Sequence, residues 1–317
     1  MGEMILQEKL FRHLVSNGII DNNAKMNKLN KGGSGAILYE INSVNGNYIL
    51  KNIHIDQDSF LLKSSEKEYG FYSISNEFDL NYLPKVIYTE KNDCLGIIIV
   101  LNKYTDIQRH EWNLKRQLST VDIIAKIHSE SDFFINRFAL KKELFEAKDG
   151  QLEKSLNDWI CVIKKYDLDE CIINEIKINF GQVINFINSK KHYFCHGDFH
   201  PDNFVLDEKG ELVILDWANY HIGCKDEIAF FISRGYDCGI DIQEESIKKH
   251  YCERLSYYSG ENISMLDIEV ECNMSTVFVS FLYWAEYLQD TNIDRVNSIY
   301  EKMIYSYKWL VDNFYTW

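Results

Sequence analysis

One short stretch of the sequence concentrates side chains that could carry out chemistry: residues 196–203, His-Gly-Asp-Phe-His-Pro-Asp-Asn. Asp216 follows Asn203 by thirteen positions, at the end of the apolar run Val213–Leu215. A loop carboxylate such as Asp198 can accept a proton from a hydroxyl group. A second carboxylate and an amide oxygen suit Mg²⁺, a hard cation that prefers oxygen ligands. The pattern therefore predicts a proton acceptor beside a divalent-cation site.

Phosphoryl transfer from a nucleotide needs little more than such groups, because its catalysis is mainly positioning and neutralisation of charge. The interval from Asp198 to Asn203 equals that of a protein-kinase catalytic loop. The stretch resembles the signature of the aminoglycoside phosphotransferase / choline kinase-like family, whose fold is similar to that of protein kinases. In that family, histidine-glycine-aspartate opens the catalytic loop, and a strand ending in aspartate and an aromatic residue follows, as in Asp216-Trp217 here.

The resemblance implies a role for each of these residues. Asp198 would be the catalytic base, Asn203 a metal ligand and Asp216 the principal metal ligand, with Mg²⁺ as cofactor and ATP or GTP as co-substrate. His196 would be mainly structural and brace the loop. The chain departs from the family pattern downstream, where the usual aspartate-leucine-alanine is replaced by residues 227–229, Glu-Ile-Ala. That change puts a supporting contact in doubt, and the chemistry is unaffected.

The N-terminal part matches the nucleotide-binding half of the same fold. Lys51 lies on the second strand of a predicted hairpin and matches the lysine that contacts the α- and β-phosphates. Glu68, on the helix that follows, fits best as its partner, and Glu66 is the competitor. The hinge should pass through Leu101–Tyr104, where backbone groups would bond a purine edge. The nucleotide-binding residues expected there are Leu101, Asn102 and Tyr104.

A glycine-rich segment precedes the hairpin, at Gly32, Gly33, Ser34 and Gly35. It lacks the full spacing of a kinase glycine loop, and three close glycines alone are usually a turn. Because it lies before the predicted strand Ala36–Ile41, it is a credible phosphate-covering loop. A dinucleotide-binding oxidoreductase is disfavoured, because there the glycine motif opens a helix.

Periodicity predicts a small part with a sheet followed by a mostly helical part, and the resemblance implies an α+β, bilobal, protein-kinase-like fold. The N-lobe, residues 1–103, combines helix Met4–Val15 with a small antiparallel sheet and a helix over Phe60–Ser73. The C-lobe, residues 104–317, is mostly helical. Its predicted helices are Leu118–His128, Leu152–Lys164, Glu170–Asn188, Gln243–Leu255, Leu266–Leu288 and Val296–Trp317.

Composition narrows the partners. The net charge of −14 and the scattered basic residues disfavour nucleic acid, and the longest aliphatic run is too short to span a membrane. Eight separated cysteines without a CxxC pair suit a reduced, cytoplasmic protein. The partner expected is a small hydroxyl-bearing molecule, and the oligomeric state cannot be read from the sequence.

The acceptor would be recognised by C-terminal helices, which offer Tyr283, Trp284, Glu286, Tyr287 and Asp290. Aromatic and acidic groups could hold a cationic acceptor such as an aminoglycoside or choline, although simple helix packing explains each residue as well. A sugar remains an alternative acceptor.

Two other interpretations of these residues can be compared with the kinase interpretation. A kinase fold with a binding or structural role, for example spore-coat-associated, and little or no catalysis would keep the same residues. Structural zinc on His192, Cys195, His196 and His200 is disfavoured, because Gly197 and Pro201 break any helix that would align the ligands.

Overall fold

The computed structural model describes residues 2–29, 35–54, 59–78, 80–141, 145, 150–224 and 227–313. Its strands are β1 Lys25–Leu29, β2 Ile37–Ser43, β3 Gly46–Ile53, β4 Val86–Asn92, β5 Gly96–Asn102, β6 Thr105–Asp106, β7 Tyr193–Cys195, β8 Phe204–Leu206, β9 Leu212–Ile214 and β10 His221–Gly223. Its α-helices are α1 Gly2–Ser16, α2 Ser59–Ser75, α3 Leu114–Ser129, α4 Ser131–Arg137, α5 Gln151–Tyr166, α6 Cys171–Ser189, α7 Glu227–Asp237, α8 Glu244–Ser259, α9 Met265–Val279, α10 Ala285–Leu288 and α11 Ile293–Asn313. Short 3₁₀ turns cover Arg109–Glu111, Pro201–Asn203 and Trp217–Asn219, and a π-helical turn covers Ser280–Trp284.

The chain divides into two compact units. Unit 1 comprises residues 1–113, 196–220 and 238–240, and unit 2 comprises residues 114–195, 221–237 and 241–317. An antiparallel sheet in the N-terminal part is followed by mostly helical structure, which confirms the α+β class. The division of the chain into lobes at residue 103 stays a prediction.

Unit 1 is built on an antiparallel sheet of five strands in the order β1-β2-β3-β5-β4. Strands β2 and β3 form the expected hairpin, in which Ser43 pairs with Gly46. Strand β5 starts at Gly96, whose φ of +81° and close approach to the Ile53 carbonyl leave no room for a side chain. A Cβ there would lie 2.1 Å from that oxygen.

The two faces of the sheet receive different helices. On β3, Tyr48 and Leu50 share a buried core with Leu10 and Leu14 of α1. Because side chains alternate along a strand, Lys51 points to the opposite face. Helix α2 packs against strands β4 and β5. The alternation of side chains along β3 thus places Lys51 on the face opposite to the core that this strand shares with α1.

Unit 2 is organised around a large apolar core. Trp159, Phe180 and Phe281 are fully buried in this core, which draws on α5, α6, α9 and α11. The two short strands β7 and β10 pair antiparallel within the same unit. Across the parts of the chain that the structure describes, no helix combines the length and the apolar character needed to cross a membrane.

Candidate active site

Lys51 lies between two carboxylates of unit 1. Its Nζ is 2.6 Å from Oε2 of Glu68 and 3.3 Å from Oδ1 of Asp216. Burial acts to lower the pKa of Lys51, but the negative charges of Glu68 and Asp216 outweigh it and raise that pKa. The ammonium group is therefore charged and held in one position.

Helix α2 supplies two contacts to this site from successive turns. Glu68 is 2% exposed, and Tyr72, four residues later, is also buried. The Tyr72 hydroxyl accepts a hydrogen bond of 3.1 Å from the backbone N–H of Asp216. Glu66 lies on another face of the helix, where its Oε1 is 2.5 Å from Nζ of Lys91. Sequence reasoning gave no role to Tyr72, although its i+4 spacing from Glu68 was visible.

The catalytic-loop histidine links the two halves of the predicted centre. Nδ1 of His196 accepts a 3.2 Å hydrogen bond from the backbone N–H of Asp198, and Nε2 donates one of 2.9 Å to the Leu215 carbonyl. Gly197 has a φ of +83°, which favours glycine. His196 is fully buried, and these contacts match the bracing role predicted for it.

Asn203 and Asp198 are in direct contact. The Asn203 amide donates to the Asp198 carbonyl at 2.8 Å and to its carboxylate Oδ2 at 3.3 Å. With both donors directed at Asp198, the amide oxygen of Asn203 is the atom left to accept or to coordinate. The five-residue spacing read from the sequence thus corresponds to a short, hydrogen-bonded loop.

Asp216 is carried by the strand pair β8–β9. The Leu215 N–H donates to the Asn203 carbonyl at 2.8 Å, which extends the ladder between the two strands. Asp216 itself takes a left-handed conformation, with φ 59° and ψ 59°. A non-glycine residue in this region is uncommon, and aspartate tolerates it better than most. Trp217, which follows, stacks on Phe71 of α2 at 4.3 Å between ring centroids.

His200 sits beside the predicted base. Its Nδ1 accepts a 3.2 Å hydrogen bond from the Asp202 N–H, so the neutral ring carries its hydrogen on Nε2. That nitrogen lies 3.5 Å from Oδ2 of Asp198. Burial acts to raise the pKa of Asp198, but hydrogen bonds from His200 and Asn203 outweigh it and lower that pKa. The carboxylate is thus kept ionised, as a proton acceptor must be.

The remaining nucleotide-binding predictions concern the hinge and the glycine loop. The Asn102 N–H is bonded to the Lys85 carbonyl and the Lys103 N–H to the Asn47 carbonyl. The Tyr104 hydroxyl accepts from the Lys85 N–H. A purine at this segment would therefore need backbone groups other than these two amides, and those of Leu101 lie within β5.

Of the glycine-rich segment, Gly35 is exposed with a φ of +72°. Gly32, Gly33 and Ser34 lie outside the described residues.

The residue that replaces the family's aspartate has a partner in unit 2. Oε2 of Glu227 lies 3.0 Å from Nε2 of His128, and Nδ1 of that ring lies 2.6 Å from the Tyr251 hydroxyl. All three side chains are buried. Cys195 is also close, with its Sγ 3.8 Å from Nε2 of His128. Because both ring nitrogens have hydrogen-bond partners, the group is a structural network that holds helices α3, α7 and α8 together.

The side chains expected to receive a cationic acceptor have partners from the chain itself. Glu286 lies 2.7 Å from Nζ of Lys154, and the Arg295 guanidinium lies 4.9 Å from the centre of the Trp284 ring. Tyr283 and Tyr287 are more than half exposed. The acid and the indole that sequence reasoning assigned to a substrate cation are thus each paired with a basic side chain.

The donor set around Asp198 suits magnesium better than zinc. Asn203 and Asp216 offer an amide oxygen and a carboxylate, which are hard ligands. Both nitrogens of His196 are engaged in the hydrogen bonds described above, so this ring is not a zinc ligand. The oxygen donors therefore fit Mg²⁺.

A family model described as the phosphotransferase enzyme family matches residues 140–224, which include the predicted catalytic loop and Asp216. No curated protein matches the chain at a significant level.

Solved structures match nearly the whole chain at low identity. A spectinomycin phosphotransferase in complex with ADP and spectinomycin has a TM-score of 0.59 and 15% identity, covering 93% of this chain and 93% of its own. A choline kinase from Cryptosporidium parvum Iowa II has a TM-score of 0.60 and 12% identity, covering 98% and 97%. A GDP complex of an aminoglycoside 2'-phosphotransferase variant has a TM-score of 0.59 and 14% identity, covering 97% and 98%. The fold is the protein-kinase-like fold of these enzymes, which confirms the resemblance noted in the sequence.

Proposed function

We propose that the protein transfers the γ-phosphoryl group of ATP or GTP to a hydroxyl of a small molecule. The observation that carries the proposal is the arrangement in unit 1 of one buried lysine, its glutamate partner and three oxygen-bearing side chains. Lys51 is ion-paired with Glu68 and Asp216, and Asp198 is hydrogen-bonded to Asn203. A family model matches residues 140–224, which carry Asp198, Asn203 and Asp216, and supports the same reaction class.

The chain's own residues would divide the work of the reaction. Lys51, charged and fixed by Glu68, would bind phosphate oxygens of the nucleotide and orient them. Asp198, kept ionised beside His200, would accept the proton of the attacking hydroxyl at a carboxylate oxygen. His196 would hold Asp198 and the Asp216 strand in register, since it bonds to both segments.

Asn203 and Asp216 would hold Mg²⁺, which supplies neutralisation of the phosphate charges. Asp216 also contacts Lys51, so the nucleotide's phosphates and the cation would meet at one side chain. The acceptor is proposed to be a small hydroxyl-bearing compound, and the protein is proposed to act in the cytoplasm.

Replacing the base tests the proposal. Asp198→Ala should lower phosphoryl transfer by about 10²- to 10⁴-fold, since that is the usual contribution of a general base. Nucleotide affinity should stay nearly intact, because Lys51 and Asp216 remain. A nucleotide-consumption screen over hydroxylated amines, sugars and hydroxy acids would first identify an acceptor, and its turnover would then be compared between wild type and variant.

Asp202→Ala is the matched control, because its side chain is on the same loop but 69% exposed. It should keep most of the turnover. Equal turnover in wild type and Asp198→Ala would refute the assignment of the base. Nucleotide binding without consumption over the whole screen would instead favour a kinase fold with a binding role.

A further inference from the structure

A group of basic side chains lies on α7 and α11 of unit 2, remote in sequence from the residues of the proposed reaction. We call Arg234, Arg295 and Lys302 the cationic cluster. Two of its members share one carboxylate: Asp237 lies 2.6 Å from Arg295 and 3.5 Å from Arg234. The Asp237 side chain is 14% exposed, so it is held within the group. The two arginines thus share one acid.

Lys302 contacts uncharged groups, and its Nζ lies 5.8 Å from the centre of the Tyr236 ring. Its Nζ donates a 3.2 Å hydrogen bond to the Ser233 hydroxyl, and within the described residues no carboxylate lies within 4.0 Å of it. The side chain is half-buried, and burial lowers its pKa. The charges of Asp237 and Glu244 oppose this effect, and the charge of Arg295 adds to it. A partly desolvated ammonium group without an ion pair costs free energy that an anion would recover.

Glu244, the other acid that acts on Lys302, also forms an ion pair with a lysine outside the cluster. Glu244 is 2.7 Å from Nζ of Lys248, and that lysine also lies 2.9 Å from Glu269. The local excess of positive charge occurs on a chain whose net charge is −14. Such a local reversal of sign favours an anionic ligand over the cationic one that the net charge suggests.

The geometry of the arginines suits an oxyanion. The Arg295 guanidinium lies over the Trp284 ring, 4.9 Å from its centre, and this contact restricts its position. A guanidinium held in this way presents paired donors to a carboxylate or phosphate group. Trp284 ends the π-helical turn Ser280–Trp284, and such turns are frequent at functional sites. Asp237 occupies part of the donor set in the manner that a ligand oxygen would.

We propose that Arg234, Arg295 and Lys302 form a binding site for the oxyanion group of a small ligand, a phosphate, sulfate or carboxylate. Asp237 partly neutralises the site and limits its affinity. This site stands independently of the reaction proposed above, because every contact that supports it lies within unit 2 and involves other residues.

Calorimetric titration of the full chain with sodium sulfate, at ionic strength held constant with sodium chloride, tests the site. Wild type should bind one sulfate. Lys302→Gln should weaken binding by about tenfold, because a charge-assisted hydrogen bond is lost. Asp237→Asn should tighten binding several-fold, since the competing carboxylate is removed. A gain in affinity cannot result from partial unfolding, so this second variant keeps the test decisive.

Lys308→Gln is the matched control, because Lys308 is exposed on the same helix. It should bind sulfate as wild type does. Absence of saturable binding in wild type, equal affinity in wild type and Lys302→Gln, or no gain in affinity in Asp237→Asn would overturn the proposal.

Discussion

At the scale of single residues, the ion pair of Lys51 shows how two glutamates on different faces of α2 differ in burial and in partner. Glu66 and Glu68 are two positions apart, which puts them on different sides of α2. Glu68 is 2% exposed and faces Lys51, whereas the Glu66 side chain is 43% exposed and pairs with Lys91. The Glu68 ion pair should therefore contribute more to stability than the Glu66 ion pair, since exposed ion pairs contribute little.

Exchange of each glutamate for glutamine measures that difference. Glu68→Gln should raise KM for the nucleotide about tenfold, because the lysine loses a charge-assisted partner and its fixed position. The free energy of unfolding should fall by about 1–3 kcal/mol. Steady-state kinetics and urea unfolding would measure the two effects.

Glu66→Gln serves as the control and should change both quantities little. An equal rise in KM for the two variants would contradict the assignment of Glu68 as the partner of Lys51.

The sequence predicted the chemistry-bearing residues better than their supports. Asp198, Asn203 and Asp216 stand out because their types and spacing are unusual, and the structure brings the first two into contact. The choice of Glu68 over Glu66 was left open, although the burial of Phe71 and Tyr72 at i+3 and i+4 marks the inner face of α2. Tyr72 as a support of Asp216 depends on contacts between distant segments, which spacing cannot show.

At the scale of elements, α1 is attached to the sheet by polar contacts as well as by its apolar face. His13 lies 2.5 Å from Oε2 of Glu90 on β4, and the Tyr88 hydroxyl donates to the same oxygen at 2.6 Å. Burial acts to raise the pKa of Glu90, but hydrogen bonds from Tyr88, Asn92 and His13 outweigh it and lower that pKa. The ionised carboxylate therefore stabilises the attachment.

A pH series of unfolding experiments tests this attachment. Because the pKa of Glu90 is lower in the folded state than its usual 4.5, its contribution is full above that value and is lost as the pH falls through the folded pKa. Glu90→Gln should lower the free energy of unfolding by about 1 kcal/mol at pH 7. Urea unfolding between pH 7 and pH 3 should show the gap from wild type narrowing below pH 4.5.

Glu245→Gln, at an exposed position of α8, is the control and should track wild type at every pH. A gap for Glu90→Gln that stayed constant down to pH 3 would contradict the role of the carboxylate.

Elements with strong periodicity were predicted, and those with weak patterns were missed. Helix α1 was expected at Met4–Val15 and spans Gly2–Ser16, because its apolar spacing is regular. Strand β1, Lys-Met-Asn-Lys-Leu, was not predicted, because an edge strand with one buried side chain gives little alternation. Helix α7 was also missed, since it follows directly on the short strands of the catalytic region. The single helix expected over Leu266–Leu288 contains a π-helical turn, which no sequence period reveals.

At the scale of the whole molecule, the fold matches solved kinases over more than nine-tenths of the chain at 12–15% identity. The family model covers residues 140–224 only. Structural similarity at this low sequence identity shows the fold. The ligands have to be identified by experiment. Binding of nucleotide and cation should therefore be measured on the intact protein.

Thermal unfolding gives the corresponding prediction. The Mg²⁺ complex of ATP, added as one ligand at about 100 times its dissociation constant, should stabilise the protein by about 2.7 kcal/mol and raise Tm by roughly 5 °C. Chelation of the cation should remove most of the shift, because the phosphates would then lose their counter-charge.

Without ligand, Asp216→Asn should unfold at nearly the Tm of wild type. It should lose most of the cation-dependent shift in Tm, since an amide is a weaker ligand than a carboxylate. Full retention of the shift in this variant would contradict a metal-binding role for Asp216.

The left-handed backbone of Asp216 limits which residues can replace it without changing the local backbone conformation. Aspartate, asparagine and glycine accept that conformation readily, whereas a β-branched residue would force the turn before Trp217 to rearrange. Asparagine is thus the replacement that removes the carboxylate charge and keeps the backbone conformation. The Asp216→Asn protein would be suitable for crystallisation with nucleotide and acceptor together, because the backbone around both ligands would be unchanged.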